Sequence, residues 1–372
     1  MKLTTEQSAF AQGTALVARG LMNRPPHPVL AGVKLTAVPD GLTITGFDYE
    51  RSTVLHTPAN VTTPGEAVVS GRLLADIAKS LPAKPVELSL DADRVTIVCG
   101  TARYTLNTLP LTEYPGLPVA PPESGTISGP LLAAAVAQVA PAAARDNTLP
   151  ALTSVRIEAT SDTQLTLSAT DRYRIAVRRV QWKCPAAPDT PDVCVPADHL
   201  LGLTKAAGGT ETIRLHFPTA NSLVGITAEP MAVTMRQLEE KPPNYRPLWP
   251  KPGALVSRIR VDRTALIEAT HRVSLVLGKA APIRLDCAAS RITLAGGTSD
   301  DAQAHDRVDA ILDGEPMRIA FNPGYLGDAL DAIDTPEVEI CLQSPTKPGL
   351  FLPANGEDDP DLQYLVMPVR LS

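Results

Sequence analysis

The stretch Asn147-Thr148-Leu149-Pro150-Ala151-Leu152-Thr153-Ser154-Val155-Arg156-Ile157 repeats the pattern of Arg24-Pro25-Pro26-His27-Pro28-Val29-Leu30-Ala31-Gly32-Val33-Lys34-Leu35. In both, a Pro-x-Leu turn leads into an alternating strand, and the next strand ends at an aspartate, Asp48 or Asp171, 171 − 48 = 123 residues apart. A fainter third copy runs through residues 272–296, and the closing segment 113–118 resembles 244–250. A period of about 120 residues is too long for solenoid units of about 20–50 residues. The pattern therefore predicts three similar domains.

The length and composition fit three small globular domains. The chain has 372 residues, of which 44% are hydrophobic, 20% charged and only 4% aromatic. The cores must therefore be aliphatic, because Val, Leu, Ile and Ala supply most of the apolar side chains. Proline-rich stretches around residues 119–124 and 249–253 mark the boundaries. We predict domains at 1–120, 126–250 and 254–372.

Each third shows two helical patterns among alternating strand patterns. Runs such as Val86-Glu87-Leu88-Ser89-Leu90 place apolar residues at every second position, which predicts antiparallel sheets with one solvated face and an α+β fold. Start and stop signals predict six helices. In the first third, one begins at a capping box, Thr4-x-x-Gln7, and a second spans 70–81. In the others, helices begin at Pro130, span 197–207 before Gly208-Gly209, begin at the Asp262 cap, and begin at Asn322-Pro323.

The net charge of −6 argues against a protein that binds nucleic acid with its whole surface, although an acidic body can still contain a locally basic channel. The five cysteines are an odd number without a C-x-x-C pair, which predicts reduced, mostly buried thiols and no metal site. The first residues are polar, and the longest apolar run, 131–144, is broken by Gln138 and Pro141. We therefore expect no signal peptide, no membrane span and a cytoplasmic location.

Catalytic patterns are missing from the sequence. It contains no phosphate-binding G-x-x-x-x-G-K-[ST] loop, no G-x-S-x-G elbow and no H-E-x-x-H motif, and its six histidines are scattered singly. Asp300, Asp301 and Asp306 have the residue type for a cation site, but they fit a solvated turn better. We predict no cofactor and no enzyme activity; turnover by the purified chain would restore a hydrolase or a metal enzyme as the alternative.

Several phrases together resemble one known family, the bacterial DNA polymerase III beta subunit or replicative sliding clamp, in its actinobacterial form. They occur in the family's order across the whole chain, as Gly46-Phe47-Asp48-Tyr49-Glu50, Val69-Ser70-Gly71-Arg72-Leu73-Leu74, Ala102-Arg103-Tyr104-Thr105-Leu106, Ala169-Thr170-Asp171-Arg172-Tyr173-Arg174-Ile175-Ala176-Val177, Ala320-Phe321-Asn322-Pro323-Gly324-Tyr325-Leu326, Ser344-Pro345-Thr346-Lys347-Pro348 and Val366-Met367-Pro368-Val369-Arg370-Leu371. Each of these short motifs alone is weak evidence for the family, but their combination in this order is specific to it.

The resemblance implies a head-to-tail homodimer whose six similar domains close into a ring around duplex DNA. Sheets would form the outer wall, and two helices per domain would line the hole. DNA would be held without sequence preference, and an ATP-driven loader would open the ring. Polymerase, clamp loader and repair proteins would dock through short peptides of the Gln-Leu-x-Leu-Phe type, with no chemistry and no membrane involved.

The family's peptide pocket lies between the second and third domains. Carried over, its walls would be Leu152, Thr170, Arg172, Tyr173, Arg174, Ile175, Pro243, Tyr245, Pro247, Leu248, Val366, Met367, Pro368, Val369 and Arg370, with Asn322 and Tyr325 nearby. Aliphatic and Met surface suits apolar anchors, and Tyr and Arg suit the rim. In the alternative interpretation, Val366, Met367 and Val369 belong to a last core strand.

The resemblance also assigns DNA and dimer contacts. DNA would meet Arg24, Arg72, Lys79, Lys205, Arg263 and Arg272, each of which is alternatively a solvated surface charge. The third helix carries no charge before Arg145, and the sixth carries Asp328 and Asp331. The dimer interface would pair Tyr104 and Leu106 with Ser274 and Leu275, with Tyr104 alternatively an ordinary sheet residue.

One segment departs from the family pattern. Pro242-Pro243 stands where many relatives have Phe-Pro, and Pro247 and Trp249 replace residues that are more often polar and aliphatic. A reshaped lip would change which peptides bind. The alternative function is therefore a specialised clamp paralogue, for example one that resists an inhibitor mimicking those peptides.

Overall fold

The computed structural model describes residues 1–22, 25–146, 148–185, 191–207, 209–218, 222–251, 253–278, 281–297, 302–357 and 359–370. Across these ranges the α-helices are α1 (Gln7–Arg19), α2 (Gly71–Ser80), α3 (Gly129–Val139), α4 (Ala197–Ala206), α5 (Arg263–Ser274) and α6 (Pro323–Ala332). Each third of the chain thus contributes two helices, as the sequence predicted. Asp262 caps α5 by accepting a hydrogen bond from the Ala265 N–H at 2.7 Å, so that predicted cap is confirmed.

The strands follow in the same repeated order. In the first third they are β1 (Lys2–Thr5), β2 (Gly32–Val38), β3 (Gly41–Phe47), β4 (Arg51–Thr57), β5 (Ala59–Thr63), β6 (Gly65–Ser70), β7 (Val86–Asp91), β8 (Arg94–Cys99) and β9 (Ala102–Asn107). In the second they are β10 (Gly125–Ser128), β11 (Ser154–Ala159), β12 (Gln164–Thr170), β13 (Arg174–Gln181), β14 (Asp192–Pro196), β15 (Thr212–His216), β16 (Leu223–Ala228) and β17 (Met231–Arg236). In the third they are β18 (Ser257–Asp262), β19 (Ile283–Ala288), β20 (Arg291–Gly297), β21 (Gln303–Gly314), β22 (Met317–Phe321), β23 (Glu337–Leu342), β24 (Gly349–Pro353) and β25 (Leu362–Val366).

The predicted capping box at Thr4 is wrong. Thr4 lies in β1, where it pairs with Asn60 on one side and Glu87 on the other. The helix begins at Gln7, with Glu6 at the N-cap position and without a side-chain cap. Sheet pairing with distant strands thus outweighs the local capping signal.

The chain divides into two compact units. The first consists of residues 1–130, 183–188 and 203–237, and the second of residues 131–182, 189–202 and 238–372. The first unit contains a five-stranded sheet, β5-β1-β7-β8-β9, and an eight-stranded sheet, β10-β15-β16-β17-β4-β3-β2-β6. The second contains the twelve-stranded sheet β14-β11-β12-β13-β25-β24-β23-β18-β21-β20-β19-β22. Neighbouring strands of these sheets pair antiparallel throughout the described residues, as the alternating patterns predicted.

Strand pairing repeats at equivalent places in the chain. In the first unit β4 pairs antiparallel with β17, which sets Ser52 opposite Thr234. In the second unit β13 pairs antiparallel with β25, which sets Ile175 opposite Leu365. Because Ile175 and Ser52 lie 175 − 52 = 123 residues apart, the same strand of two successive repeats makes both junctions.

Candidate peptide-binding groove

The turn between β12 and β13 builds one rim of the groove. Asp171 Oδ1 accepts hydrogen bonds from the backbone N–H groups of Tyr173 at 2.9 Å and Arg174 at 3.0 Å. Thr170 Oγ1 accepts from the Arg172 N–H at 3.1 Å and donates to the Arg174 carbonyl at 2.7 Å. These bonds hold Arg172 at φ 78°, a conformation that costs energy for a side chain with a Cβ. The turn therefore fixes an exposed Tyr173 at the groove edge.

Arg174 is a buried cation beneath this rim. Its side chain is 4% exposed, and its Nε donates to Asp171 Oδ2 at 3.0 Å. Its Nη1 donates to Asp328 on α6, and its guanidinium lies 4.6 Å from the centre of the Tyr325 ring. A buried charge of this kind is stable only when its partners compensate it. Arg174 therefore ties the turn after β12 to α6 and orients Tyr325.

The segment after β25 runs directly beside this rim. The Met367 N–H donates to the Tyr173 carbonyl at 2.8 Å, and the Val369 N–H donates to the Ala320 carbonyl at 2.8 Å. Met367 is 37% exposed and lies outside any strand, while Pro368 and Val369 are half-buried and Arg370 is exposed. Met367 thus presents a polarizable apolar side chain beside the turn.

Two tyrosines stack across this rim. The Tyr173 and Tyr325 ring centres lie 6.2 Å apart at an interplanar angle of 19°. Asn322 Oδ1 caps α6 by accepting from Gly324 N at 2.9 Å and Tyr325 N at 3.2 Å, so Asn322 orients Tyr325 as the predicted cap. Burial raises the pKa of the Tyr325 hydroxyl, and the Asp171 charge adds to that. The hydroxyl therefore stays protonated at neutral pH.

The floor is aliphatic and lies on one face of β13 and β25. Ile175, Val177 and Leu365 form a buried cluster with Tyr245, and Trp249 packs against it. Leu152 is also buried, in the 3-10 turn Pro150–Thr153. Pro243, Pro247 and Leu248 are exposed along the adjoining segment. An apolar floor with Tyr, Met and Arg at the rim suits an extended peptide with apolar anchors.

One predicted pocket residue is fully buried. Val366 is the last residue of β25 and is 0% exposed, which is the position that the alternative interpretation gave it. That interpretation is wrong for Met367 and Val369, which follow the strand. Sequence reasoning also left out Asp171, which contacts Arg174 three residues later, and Asp328, whose contact with Arg174 spans 154 positions.

The equivalent place in the first unit differs in chemistry. Asp48 Oδ1 accepts from the N–H groups of Glu50 at 3.1 Å and Arg51 at 2.8 Å, and Tyr49 has φ 73°, so the turn is repeated. However, buried Ser52 and Thr234 stand where the β13–β25 junction has Ile175 and Leu365. Hydroxyl groups need partners when buried and do not favour apolar anchors. Of the two junctions, the β13–β25 junction therefore has the chemistry that suits apolar anchors better.

The predicted DNA-contacting residues are dispersed. Arg72, Lys79 and Lys205 are exposed on α2 and α4, whereas Arg24 lies outside the described residues. Arg263 is half-buried, and its Nη1 donates to the Leu330 carbonyl at 3.4 Å. Arg272 is exposed but ion-paired with Asp306 at 2.7 Å and Glu268 at 3.5 Å. Of the predicted set, Arg72, Lys79 and Lys205 are thus the exposed members that form no ion pair within the described residues.

The predicted dimer residues fall into two groups. Leu275 is 73% exposed and Tyr104 half-buried. Leu106 lies in the core of the first unit at 4% exposure, and the Ser274 hydroxyl donates to the Thr270 carbonyl at 2.6 Å. Leu275 is thus the member of this set whose apolar side chain lacks cover within the described chain.

The cysteines are core residues. Cys99, Cys194, Cys287 and Cys341 are buried, as the sequence predicted, and burial raises the pKa of both the Cys287 and the Cys341 thiol to about 12. In the described ranges, no three His, Cys, Asp or Glu side chains lie together as a metal site would need. Asp300 and Asp301, for which a solvated turn was predicted, lie outside the described residues. No helix in the described part of the chain is long and apolar enough to cross a membrane.

Three family descriptions match the chain in succession. The DNA polymerase III beta subunit N-terminal domain matches residues 1–118, the central domain 126–244 and the C-terminal domain 251–370. A beta sliding clamp from Streptomyces coelicolor is 44% identical over 382 aligned residues, covering 100% of both chains. A beta sliding clamp homolog, GriR, from Streptomyces muensis is 39% identical and covers 100% of this chain and 99% of its own.

Solved structures show the same fold. The DNA polymerase sliding clamp from Bacillus subtilis superposes with a TM-score of 0.91 at 25% identity, over 100% of both chains. A sliding clamp from Pseudomonas aeruginosa, solved bound to griselimycin, superposes with a TM-score of 0.91 at 26% identity, also over 100% of both chains.

Proposed function

This chain belongs to the DNA polymerase III beta sliding clamp family, and from that premise we propose that it closes into a ring on duplex DNA and recruits partners through the β13–β25 groove. Family membership makes it a non-catalytic processivity subunit of DNA replication. Encirclement explains how an acidic chain can work on DNA, because a closed ring is retained by topology and needs only weak phosphate contacts. The proposed domains are 1–120, 126–250 and 254–372.

The observation that best supports peptide binding in this groove is the exposed Met367 beside the Tyr173–Tyr325 stack, next to the Ile175–Leu365 floor. The partners proposed for it are polymerase, clamp loader and repair proteins that present a short peptide of the Gln-Leu-x-Leu-Phe type. A sliding clamp with this fold has been solved bound to griselimycin, which supports a ligand site on the fold. Titration with such a peptide tests the proposal.

The ring is supported by two strand edges without partners. The β4–β17 and β13–β25 junctions each join the fourth strand of one repeat to the last strand of the next. Within the described residues, β9 ends its sheet, and residues 303–309 of β21 pair with β20 alone. A third junction of the same kind would pair β21 of one copy with β9 of another. Such a contact is heterologous, and two of them close a ring.

The register of that junction follows from the repeats. Thr53 lies opposite Gly46, and Ala304 lies opposite Gly296. The two glycines are 296 − 46 = 250 residues apart. The pairs that close the preceding hairpin turns, Val38 with Gly41 and Ala288 with Arg291, are separated by the same 250 residues. Ala304 is therefore the counterpart of Thr53, whose partner across the existing junction is Val233.

Tyr104 is the counterpart of Val233. The hairpin turns before them end at Ala102 and Met231, so Tyr104 and Val233 each lie two residues beyond the turn. Tyr104 of one copy should therefore lie opposite Ala304 of the other. One step along the antiparallel ladder, Arg103 lies opposite His305, and both side chains are exposed.

The double variant Arg103→Cys with His305→Cys is expected to cross-link two copies on mild oxidation. Directly opposite Cβ atoms lie about 4.5–5.5 Å apart in an antiparallel pair, which small movements bring into disulfide range. Non-reducing gel electrophoresis should show a covalent species of twice 39.3 kDa.

The matched control is Arg103→Cys with Ala304→Cys. A shift of one residue puts the two thiols on opposite faces of the sheet, so this pair should stay uncross-linked. Equal cross-linking of both pairs, or a native protein that sediments as a monomer at micromolar concentration, would contradict the proposed junction.

Contact with DNA is proposed at Arg72, Lys79 and Lys205. Removing one phosphate contact should lower the slope of log affinity against log salt by about 1 and weaken binding equally on all sequences. Arg72→Ala and Lys79→Ala are expected to do this, with the ion-paired Arg272→Ala as the comparison. An unchanged salt slope in the Arg72→Ala, Lys79→Ala double variant would remove these residues from the DNA contact.

A second candidate function is a specialised paralogue with an altered groove. The observation that favours it is the lip, where Pro247 lies in the 3-10 turn Arg246–Leu248 and Trp249 packs behind Tyr245. Such a clamp would still bind partner peptides but would exclude an inhibitor that mimics them. Competition of griselimycin against a bound peptide separates the two, because a replicative clamp without this adaptation releases the peptide and a resistant one retains it.

A further inference from the structure

Trp249 lies where two apolar clusters meet. On one side it packs against the cluster of Ile175, Val177, Leu365 and Tyr245. On the other side it packs, together with Leu255, against Cys341, Leu350 and Leu352 of β23 and β24. A single indole ring therefore connects the floor of the proposed groove to the part of the sheet behind it.

The position of the indole is fixed from several directions. Its ring meets Tyr245 edge to face, with centres 5.3 Å apart and an interplanar angle of 61°, a favourable geometry for two aromatic rings. Its Nε1–H donates to Gln363 Oε1 on β25. Gln363 Nε2 in turn donates to the Pro360 carbonyl at 3.3 Å and to Asp359. Pro250 follows directly and restricts the backbone.

Tyr245 is the side chain that this arrangement supports. It is 8% exposed and covers Ile175 and Leu365, which are 4% and 0% exposed. The Arg246 guanidinium lies 5.2 Å from the centre of its ring. A ligand side chain that reaches for the aliphatic floor therefore meets the Tyr245 ring, and the depth available depends on where that ring is held.

Space for Tyr245 to move lies beside the two rings. A cavity of about 310 Å³ is lined by Tyr245 and Trp249, with Val177, Arg179 and Gln363 on the sheet. Both rings border this cavity, and the edge-to-face contact with the packed indole holds the Tyr245 ring in its present position; removing side-chain volume at position 249 would let the neighbouring ring shift by partial collapse. A smaller residue at position 249 would open a route for Tyr245 into the cavity.

We propose that Trp249 is a positioning residue that sets the depth of the peptide groove by holding Tyr245 over the Ile175–Leu365 floor. This inference rests on the proposed peptide function of the same groove. It predicts that the wild-type groove is shallow and favours aliphatic anchor side chains over bulky aromatic ones. Trp249 acts through Tyr245 and does not itself touch the ligand.

The experiment compares two labelled peptides that differ only in their last residue, Gln-Leu-x-Leu-Phe and Gln-Leu-x-Leu-Leu, by fluorescence polarisation. In Trp249→Leu the preference should shift toward the Phe peptide by about fivefold or more, because a deeper apolar pocket rewards the larger side chain. Trp249→Phe keeps an aromatic ring against Tyr245 but loses the N–H that binds Gln363, so its ratio should shift less than that of Trp249→Leu. Gln363→Leu releases the indole N–H and should shift the ratio in the same direction by a smaller factor.

The ratio distinguishes positioning from a general loss of structure. A purely structural role of Trp249 would weaken both peptides equally, and an unchanged ratio in Trp249→Leu and Gln363→Leu would overturn the inference. Should Trp249→Leu fail to fold, Gln363→Leu alone decides. If the wild-type dimer binds neither peptide, the proposed peptide function fails first, and that result is separate from an unchanged ratio in a binding protein.

Discussion

Met367→Asp is expected to abolish peptide binding and to leave the fold and the oligomeric state unchanged. Met367 follows β25 and is 37% exposed beside the Tyr173–Tyr325 stack. A bound peptide with apolar anchors would remove a carboxylate at this position from water, which costs several kcal/mol. Since each 1.4 kcal/mol is a factor of ten, affinity should fall by about 100-fold or more.

The control for this variant is Met367→Leu, which keeps an apolar side chain of similar volume and should bind within about threefold of the wild type. Stability should hardly change in Met367→Asp, because substitutions away from the core usually shift the free energy of unfolding by less than about 0.5 kcal/mol. Unfolding of the third domain by Met367→Asp would show instead that the residue belongs to the core.

Arg174→Ala is expected to be the most destabilising change at the groove. Removing the guanidinium leaves Asp171 and Asp328 without their buried partner, and breaking a buried pair in this way costs about 3–5 kcal/mol. Urea unfolding followed by circular dichroism measures the loss. Peptide affinity should fall as well, because Tyr325 loses the cation that lies 4.6 Å from its ring centre.

Arg172→Ala is the matched control two residues earlier in the same turn. Its side chain is exposed, and alanine also has a Cβ, so the strain at φ 78° is similar in both. We expect its free energy of unfolding to lie within about 0.5 kcal/mol of the wild type. Equal destabilisation by the two variants would mean that the turn, rather than the buried ion pairs, carries the effect.

Local signals predicted much of the fold. The strand alternation, the Asp262 and Asn322 caps and the repeat spacing depend on neighbouring residues, and the structure contains all of them. Thr4 shows the limit, because its capping signal was local but its strand pairs with Asn60 and Glu87. Whether a short polar segment caps a helix or joins a sheet depends on partners far along the chain.

The candidate site was predictable where a residue acts alone and not where it acts through a distant partner. Met367 and Tyr173 could be recognised from their sequence phrases. The role of Asp328 could not, because its partner is Arg174 on another element. Similarly, Trp249 stood out in the sequence only as a departure, and its contacts with Tyr245 and Gln363 emerge only once the strands are paired.

The most informative measurement is the affinity of the wild-type protein for a labelled Gln-Leu-x-Leu-Phe peptide by fluorescence polarisation. We expect saturable binding in the micromolar range or tighter, lost in Met367→Asp. A protein that sediments as a dimer but binds no such peptide would contradict the assignment of the β13–β25 groove as the docking site.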